Sequence, residues 1–133
     1  MKAADTSIVV AAFATWHEKH EASRLALDAG LRLIEHCAIE TYSVLTRLPL
    51  PHRAPAEVVR DFLAARFPDA LIRMSAGEYR KFIAELPERQ VSGGAAYDAL
   101  IAATAAANAC TLVTCDRRAL PVYERYGVRL QIV

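Results

Sequence analysis

The chain has little cysteine, few lysines and no surplus of charge, and each shortage closes off a class of function. Its cysteines are Cys37, Cys110 and Cys115, an odd number with no C-x-x-C pair. That pattern excludes a disulfide framework and a zinc knuckle and points to a reducing compartment. Lysine occurs only at Lys2, Lys19 and Lys81, so mechanisms built on a lysine late in the chain have no candidate. Glycine and proline number 5 and 6, too few for low-complexity linkers, and no internal repeat is visible. Sixteen basic and 15 acidic residues leave a net charge of +1. Bulk attraction to nucleic acid is therefore excluded, although a local basic rim is not.

Long apolar runs are also missing. The opening segment MKAADTSIVVAAFATW carries Asp5 between its lysine and its apolar stretch, unlike a secretory leader. The stretch 94–113 is apolar mainly through alanine and contains Asp98, an acid costing about 2.5–3.5 kcal/mol at a membrane's centre. Both segments read as buried elements of a soluble, cytoplasmic protein with no membrane partner. What is present suits a globular domain: 133 residues, 54% of them hydrophobic and 23% charged, enough for one core without staples. Residues 1–133 read as a single domain.

Short apolar runs alternate with helical stretches. Strands are expected at Lys2–Ala4, Leu31–Ile34, Ala70–Met74, Thr111–Thr114 and Val128–Val133. Thr6–Thr15 reads as a helix or an extended turn. Further helices are expected over His17–Gly30, with Ala22, Leu25, Ala26 and Ala29 as the apolar face, and over Ala38–Leu48, Ala56–Phe67, Ala76–Leu86 and Gly94–Asn108. Ser75 and Glu78 have the spacing of a capping box, and a short helical turn is expected at Asp116–Arg118. Strands alternating with helices imply an α/β fold with a mostly parallel sheet, whose carboxyl edge forms the site crevice.

Most acids have ordinary partners at helical spacing, such as Asp28 between Arg24 and Arg32. Four differ. Asp5 and Asp116 each follow an apolar strand, where each is equally suited to capping a helix. Glu40 sits near a helix start, with His36 placed in the strand or turn before it, and a helix N-terminus by itself accommodates such an acid. Asp98 has only Gly94, Ala95, Ile101 and Ala102 at neighbouring helical positions and no cation. Carboxylates gathered in one crevice repel one another, and a divalent cation with a taste for hard oxygen ligands, Mg2+ or Mn2+, relieves that repulsion. Phosphoryl transfer through an activated water is the chemistry that uses such a cluster.

The segments A-D-T-S (4–7), I-E-T-Y-S-V-L (39–45), Y-D-A-L-I-A-A-T-A (97–105), L-V-T-C-D-R-R (112–118) and Y-E-R-Y-G-V (123–128) carry a resemblance. Together they resemble the PIN domains, specifically VapC-type toxins of bacterial toxin–antitoxin pairs. The resemblance implies an α/β/α sandwich and a metal-dependent endoribonuclease. It assigns Asp5, Glu40, Asp98 and Asp116 to the acidic quartet. Asp5 and Asp98 would bind Mg2+ or Mn2+ directly; Glu40 and Asp116 would act through water or complete a second metal position. Thr6 and Thr114 match hydroxyls beside the first and last acids, where support of site water and a plain core or turn role are both open. Arg117 has RNA phosphate contact and a surface role open to it. The implied partners are an RNA substrate, a small DNA-binding antitoxin whose C-terminal segment covers the crevice, and a second copy in a homodimer. The alternative is a catalytically silent PIN-like module that binds RNA or protein. A phosphorylation receiver is disfavoured by the missing late lysine. A haloacid-dehalogenase-like phosphatase would need an acid at position 7, where Ser7 stands.

Overall fold

Ala3 and Ala4 are wholly buried, and β1 (Lys2–Ala4) is the strand on which the sheet is built. The computed structural model describes all residues 1–133. β1 pairs in parallel with β2 (Arg32–Leu33) on one side and β3 (Thr111–Thr114) on the other, and β3 pairs in parallel with β4 (Leu130–Ile132). The order is β2-β1-β3-β4. Because every pairing is parallel, all four strands end at one edge. Ala4 lies level with Leu33 and Val113, so the residues following β1 and β3 emerge side by side.

Seven helices flank this sheet, completing an α/β/α sandwich: α1 (Thr6–Phe13), α2 (His20–Asp28), α3 (Glu35–Thr46), α4 (Ala56–Arg66), α5 (Ala76–Glu85), α6 (Ala95–Ala107) and α7 (Leu120–Arg125). α1 packs on α2, α3 and β3, while α6 packs on α5, α7 and β3. The main core joins Ile8, Ile34, Ile101, Leu112 and Tyr123. Parallel strands covered on both faces are expected to be continuously apolar, and Ala3, Ala4, Leu112 and Val113 are all fully buried. No helix is long and apolar enough to cross a membrane.

Several sequence expectations are met. Thr6–Phe13 takes the helical of its two options. Gly30 follows the end of α2 at φ +99°, a left-handed position suited to glycine. Ser75 and Glu78 form both halves of the capping box at α5.

Four details differ. α2 buries Ser23 and Leu27, whereas Leu25 is 55% exposed; the helix starts three residues later than expected, and its inward face is set by packing against α1. Ala70–Met74 is not a strand: only Ile72 bridges, to Ile34. That bridge matters, because Glu35 N–H donates to the Ile72 carbonyl at 2.9 Å. A distant backbone group thus satisfies the first turn of α3, which has no side-chain cap at Ile34, and α3 begins three residues earlier than expected. His36 is therefore helical, not in the preceding strand. Finally, the turn at Arg117–Ala119 continues into α7, which delivers Tyr123 to the core.

Candidate active site

Asp5 leaves β1 and caps α1. Its Oδ1 accepts from the Ile8 N–H at 3.2 Å and from Ser7 Oγ at 2.5 Å, and its Oδ2 accepts from the Tyr123 hydroxyl at 2.9 Å. The carboxyl is only 1% exposed. Burial raises its pKa above the ordinary value, and the hydrogen bonds partly oppose that rise. Asp116 stands just past β3, caps the 3₁₀ turn through the Arg118 N–H at 3.0 Å, and meets the Arg118 guanidinium at 3.3 Å. The capping roles and the placement at the strand edge are the same geometry, since a chain leaving a parallel strand must turn into its helix there.

Glu40 lies in the middle of α3. His36 Nε2 is 3.2 Å from its Oε2; an ionised carboxylate only accepts, so the imidazole donates. That hydrogen bond holds the Glu40 carboxyl below its usual range. The sequence expectation of four acids without partners is thus corrected at Glu40, because the early start of α3 brings His36 one turn beneath it, and at Asp116, because Arg118 folds back onto it. Asp98, in the first turn of α6, has neither hydrogen bond nor ion pair. Burial raises its pKa, the Asp116 charge adds to the rise, Arg118 opposes it, and Glu40 and Asp5 push it up further.

All four acids line one crevice of about 960 Å3, together with Thr6, Arg117 and Arg118. Four chain segments separated by long intervals therefore converge at the carboxyl edge of the sheet. As placed, no three carboxylate, imidazole or thiol side chains are spaced to hold a metal ion among themselves. Mg2+ does not require that, since it commonly keeps several waters and takes one or two carboxylates. The donor set is all-oxygen, and the buried Thr6 hydroxyl lies against it, helping His36 to lower the Glu40 pKa. Carboxylate oxygens lining a crevice open to water are the donors that a hydrated hard cation takes, so the residues present fit Mg2+ or Mn2+.

Residues 3–125 match the PIN domain family. This chain belongs to the PIN-domain family. It is of the VapC type: Ribonuclease VapC40 of Mycobacterium tuberculosis (strain ATCC 25618 / H37Rv) is 49% identical over 133 residues, spanning 100% of this chain and 99% of that protein. Ribonuclease VapC27 of the same organism is 38% identical over 133 residues, covering 98% of this chain and 95% of that protein. The crystal structure of FitAcB from Neisseria gonorrhoeae shares the fold at a TM-score of 0.69 and 18% identity, over 98% of this chain and 96% of that one.

Two hydroxyls of this PIN domain were not picked out as site residues by sequence reasoning. Ser7 binds Asp5 and also accepts the Cys115 N–H at 3.0 Å, so one hydroxyl ties the exit of β1 to the exit of β3. Tyr123 closes over Asp5 from α7. Their only sequence signals were the serine two residues after the first acid and a tyrosine in the tail. Thr114 is fully buried and does not line the crevice; its Oγ1 accepts the Asp116 N–H at 3.0 Å and lies 3.3 Å from Ser7 Oγ. Its hydroxyl thus joins the turn that carries Asp116 and also opposes the rise in the Asp5 pKa. Thr6 does line the crevice.

Proposed function

We propose that this PIN domain is a Mg2+- or Mn2+-dependent endoribonuclease acting as the toxin of a toxin–antitoxin pair. The observation that carries the reading is the convergence of Asp5, Glu40, Asp98 and Asp116 in one crevice, where burial first and then the neighbouring acids disfavour the ionised form of Asp98. The ribonuclease names of relatives that align along nearly the whole chain support it. Residues 1–133 act as one domain, in the cytoplasm, as a homodimer, with RNA as substrate and a small DNA-binding antitoxin as inhibitor.

Asp5 and Asp98 hold the cation directly, and Glu40 and Asp116 act through water or a second metal position. Bound there, such an ion activates water and offsets charge developing on the scissile phosphate. The chain's own residues prepare the site. Ser7, Ile8 N–H and Tyr123 fix the orientation of Asp5, and His36 keeps Glu40 ionised. Thr6 lies beside Glu40 and adds to the lowering of its pKa, and Arg117 on the crevice wall takes an RNA phosphate. Water gives up a proton as its oxygen bonds to phosphorus, the bond to the leaving oxygen breaks, and that oxygen takes up a proton.

The test is to map new RNA 5′ ends after induction and to repeat cleavage with purified protein and Mg2+ or Mn2+. Wild type should cut, and Asp98→Asn should fold normally and lose at least about 10- to 100-fold in activity, the loss typical even for partners of metal ligands. A folded wild type that neither slows growth nor cuts cellular RNA with either metal would establish the silent binding module instead.

A further inference from the structure

Tyr97 precedes Asp98 in α6 and lines the acidic crevice, yet its side chain is 57% exposed and belongs to none of the apolar clusters. Its ring is stacked on His36, with centroids 5.5 Å apart and planes 9° from parallel. His36 is anchored by Glu40 and lines the adjoining cavity, not the crevice. The imidazole therefore backs the phenol ring from outside the crevice. The ring lies nearly parallel to the imidazole, with surface left open in the crevice that the carboxylates line.

An aromatic that large gains little from exposure to water, and its backing by a residue tied to the quartet gives it a defined place relative to the site. Arg47, Arg117 and Arg118 line the same crevice. Guanidinium groups to take phosphates and an aromatic face to take a base are the two features that together bind single-stranded nucleic acid. Bases in a duplex are stacked on their neighbours, whereas those in single-stranded loops and ends can be splayed onto an aromatic ring.

We propose that Tyr97, backed by His36, is a stacking platform that receives one nucleobase of an unpaired RNA strand next to the acidic quartet. The proposal rests on the ribonuclease reading and adds to it a residue that positions the strand at the acids. A base on the ring brings its strand to the crevice that the acids line.

The test uses the full chain and three fluorescently labelled probes: a short mixed-sequence RNA strand, its duplex, and a strand of equal length lacking bases. Binding is followed by anisotropy with Ca2+ replacing Mg2+. Tyr97→Ala should weaken binding of the base-bearing strand roughly 5- to 150-fold, the range for loss of one stacked base. The duplex and the base-free strand should be unaffected, and Tyr97→Trp should restore the affinity. Melting curves confirm that the variants fold, as expected at an exposed position. Unchanged strand affinity in Tyr97→Ala, or an equal loss on all three probes, overturns the platform. So does an unchanged RNA affinity accompanied by weaker capture of purified antitoxin, which would make Tyr97 a protein contact. Cleavage by wild type with Mg2+ or Mn2+ separates the two levels. If wild type cuts but Tyr97 does not matter for binding, only the platform falls; if wild type neither binds nor cuts RNA, the ribonuclease reading falls and the platform with it.

Discussion

The Tyr123 hydroxyl donates a 2.9 Å hydrogen bond to Asp5 Oδ2, joining residues 118 positions apart. The bond fastens the last helix onto the exit of the first strand, and it uses one oxygen of a carboxyl whose other oxygen already holds Ser7 and the Ile8 N–H. Burial and the adjacent Asp5 charge raise the Tyr123 pKa far above its ordinary range, so the phenol stays protonated and remains a donor. Asp5 is thus clamped in one orientation, with its remaining acceptor capacity left for the crevice.

Tyr123→Phe keeps the ring and removes only that donor. A buried carboxylate oxygen left unpaired costs about 1–3 kcal/mol, a loss expected in urea unfolding of the metal-free protein. Partners of this kind to a metal ligand are worth about 10- to 100-fold in metal affinity or activity. Titration calorimetry with Mn2+ should show that weakening. Lost stability with unchanged Mn2+ affinity would make the bond purely structural.

Asp98 predicts a pH signature. Burial foremost, then the Asp116 charge, raises its pKa from 3.8. For an acid raised in the fold, the stabilising contribution is fully present below the unfolded pKa and is lost as pH rises through the folded pKa. Asp98→Asn is neutral throughout and escapes that loss. In EDTA, the variant's stability relative to wild type should therefore improve as pH rises from the ordinary value of 3.8 through the raised folded pKa. A variant that is less stable by a constant amount at every pH above 3.8 would mark Asp98 as a structural residue.

Divalent metal should reverse this penalty. Binding to the folded state alone stabilises by mass action, about 2.7 kcal/mol at a hundredfold excess over Kd. Mn2+ or Mg2+ should raise the melting temperature of wild type and leave Asp98→Asn and Asp5→Asn nearly unmoved. Equal shifts in all three proteins would remove Asp5 and Asp98 as the ligands.

The fold and the acids were legible in the chain because their signals are local. Apolar runs at Lys2–Ala4 and Thr111–Thr114 end at Asp5 and near Asp116, and the capping box at Ser75 lies within four residues. What was not legible depends on contacts far apart in sequence. The start of α3 is satisfied by the Ile72 carbonyl and not by a side-chain cap, so the helix seemed to begin after His36, and the His36–Glu40 pair stayed hidden. The inward turn of α2 toward Leu27 depends on α1. The Ser7 and Tyr123 bonds reach residues 108 and 118 positions away, a separation that no periodicity records.

The last prediction concerns the inhibitor. An unrestrained ribonuclease harms its own cell, so the proposed function requires a partner that closes the crevice. Apolar surface stands at its margin: Trp16, next to the crevice-lining His17, is 49% exposed and meets His52 with ring centroids 4.2 Å apart and planes tilted by 36°, and Val44 lines the crevice itself. Phe13 contributes less than its sequence position suggests, because its ring packs edge-on against Phe62 at 5.2 Å. A helix or extended segment of the antitoxin laid on this surface can reach the quartet with an arginine, whose planar guanidinium binds carboxylates through paired hydrogen bonds. Arginine and metal then compete for the same oxygens. By linkage, bound antitoxin should weaken Mn2+ affinity by the same factor as Mn2+ weakens antitoxin affinity. Calorimetry in both orders measures the two factors. Trp16→Ala should weaken the complex without altering Mn2+ binding by the free toxin. Co-expressed antitoxin should rescue growth arrested by wild type, and Asp98→Asn should need no rescue. Antitoxin affinity independent of Mn2+ would show that the partner inhibits from outside the crevice.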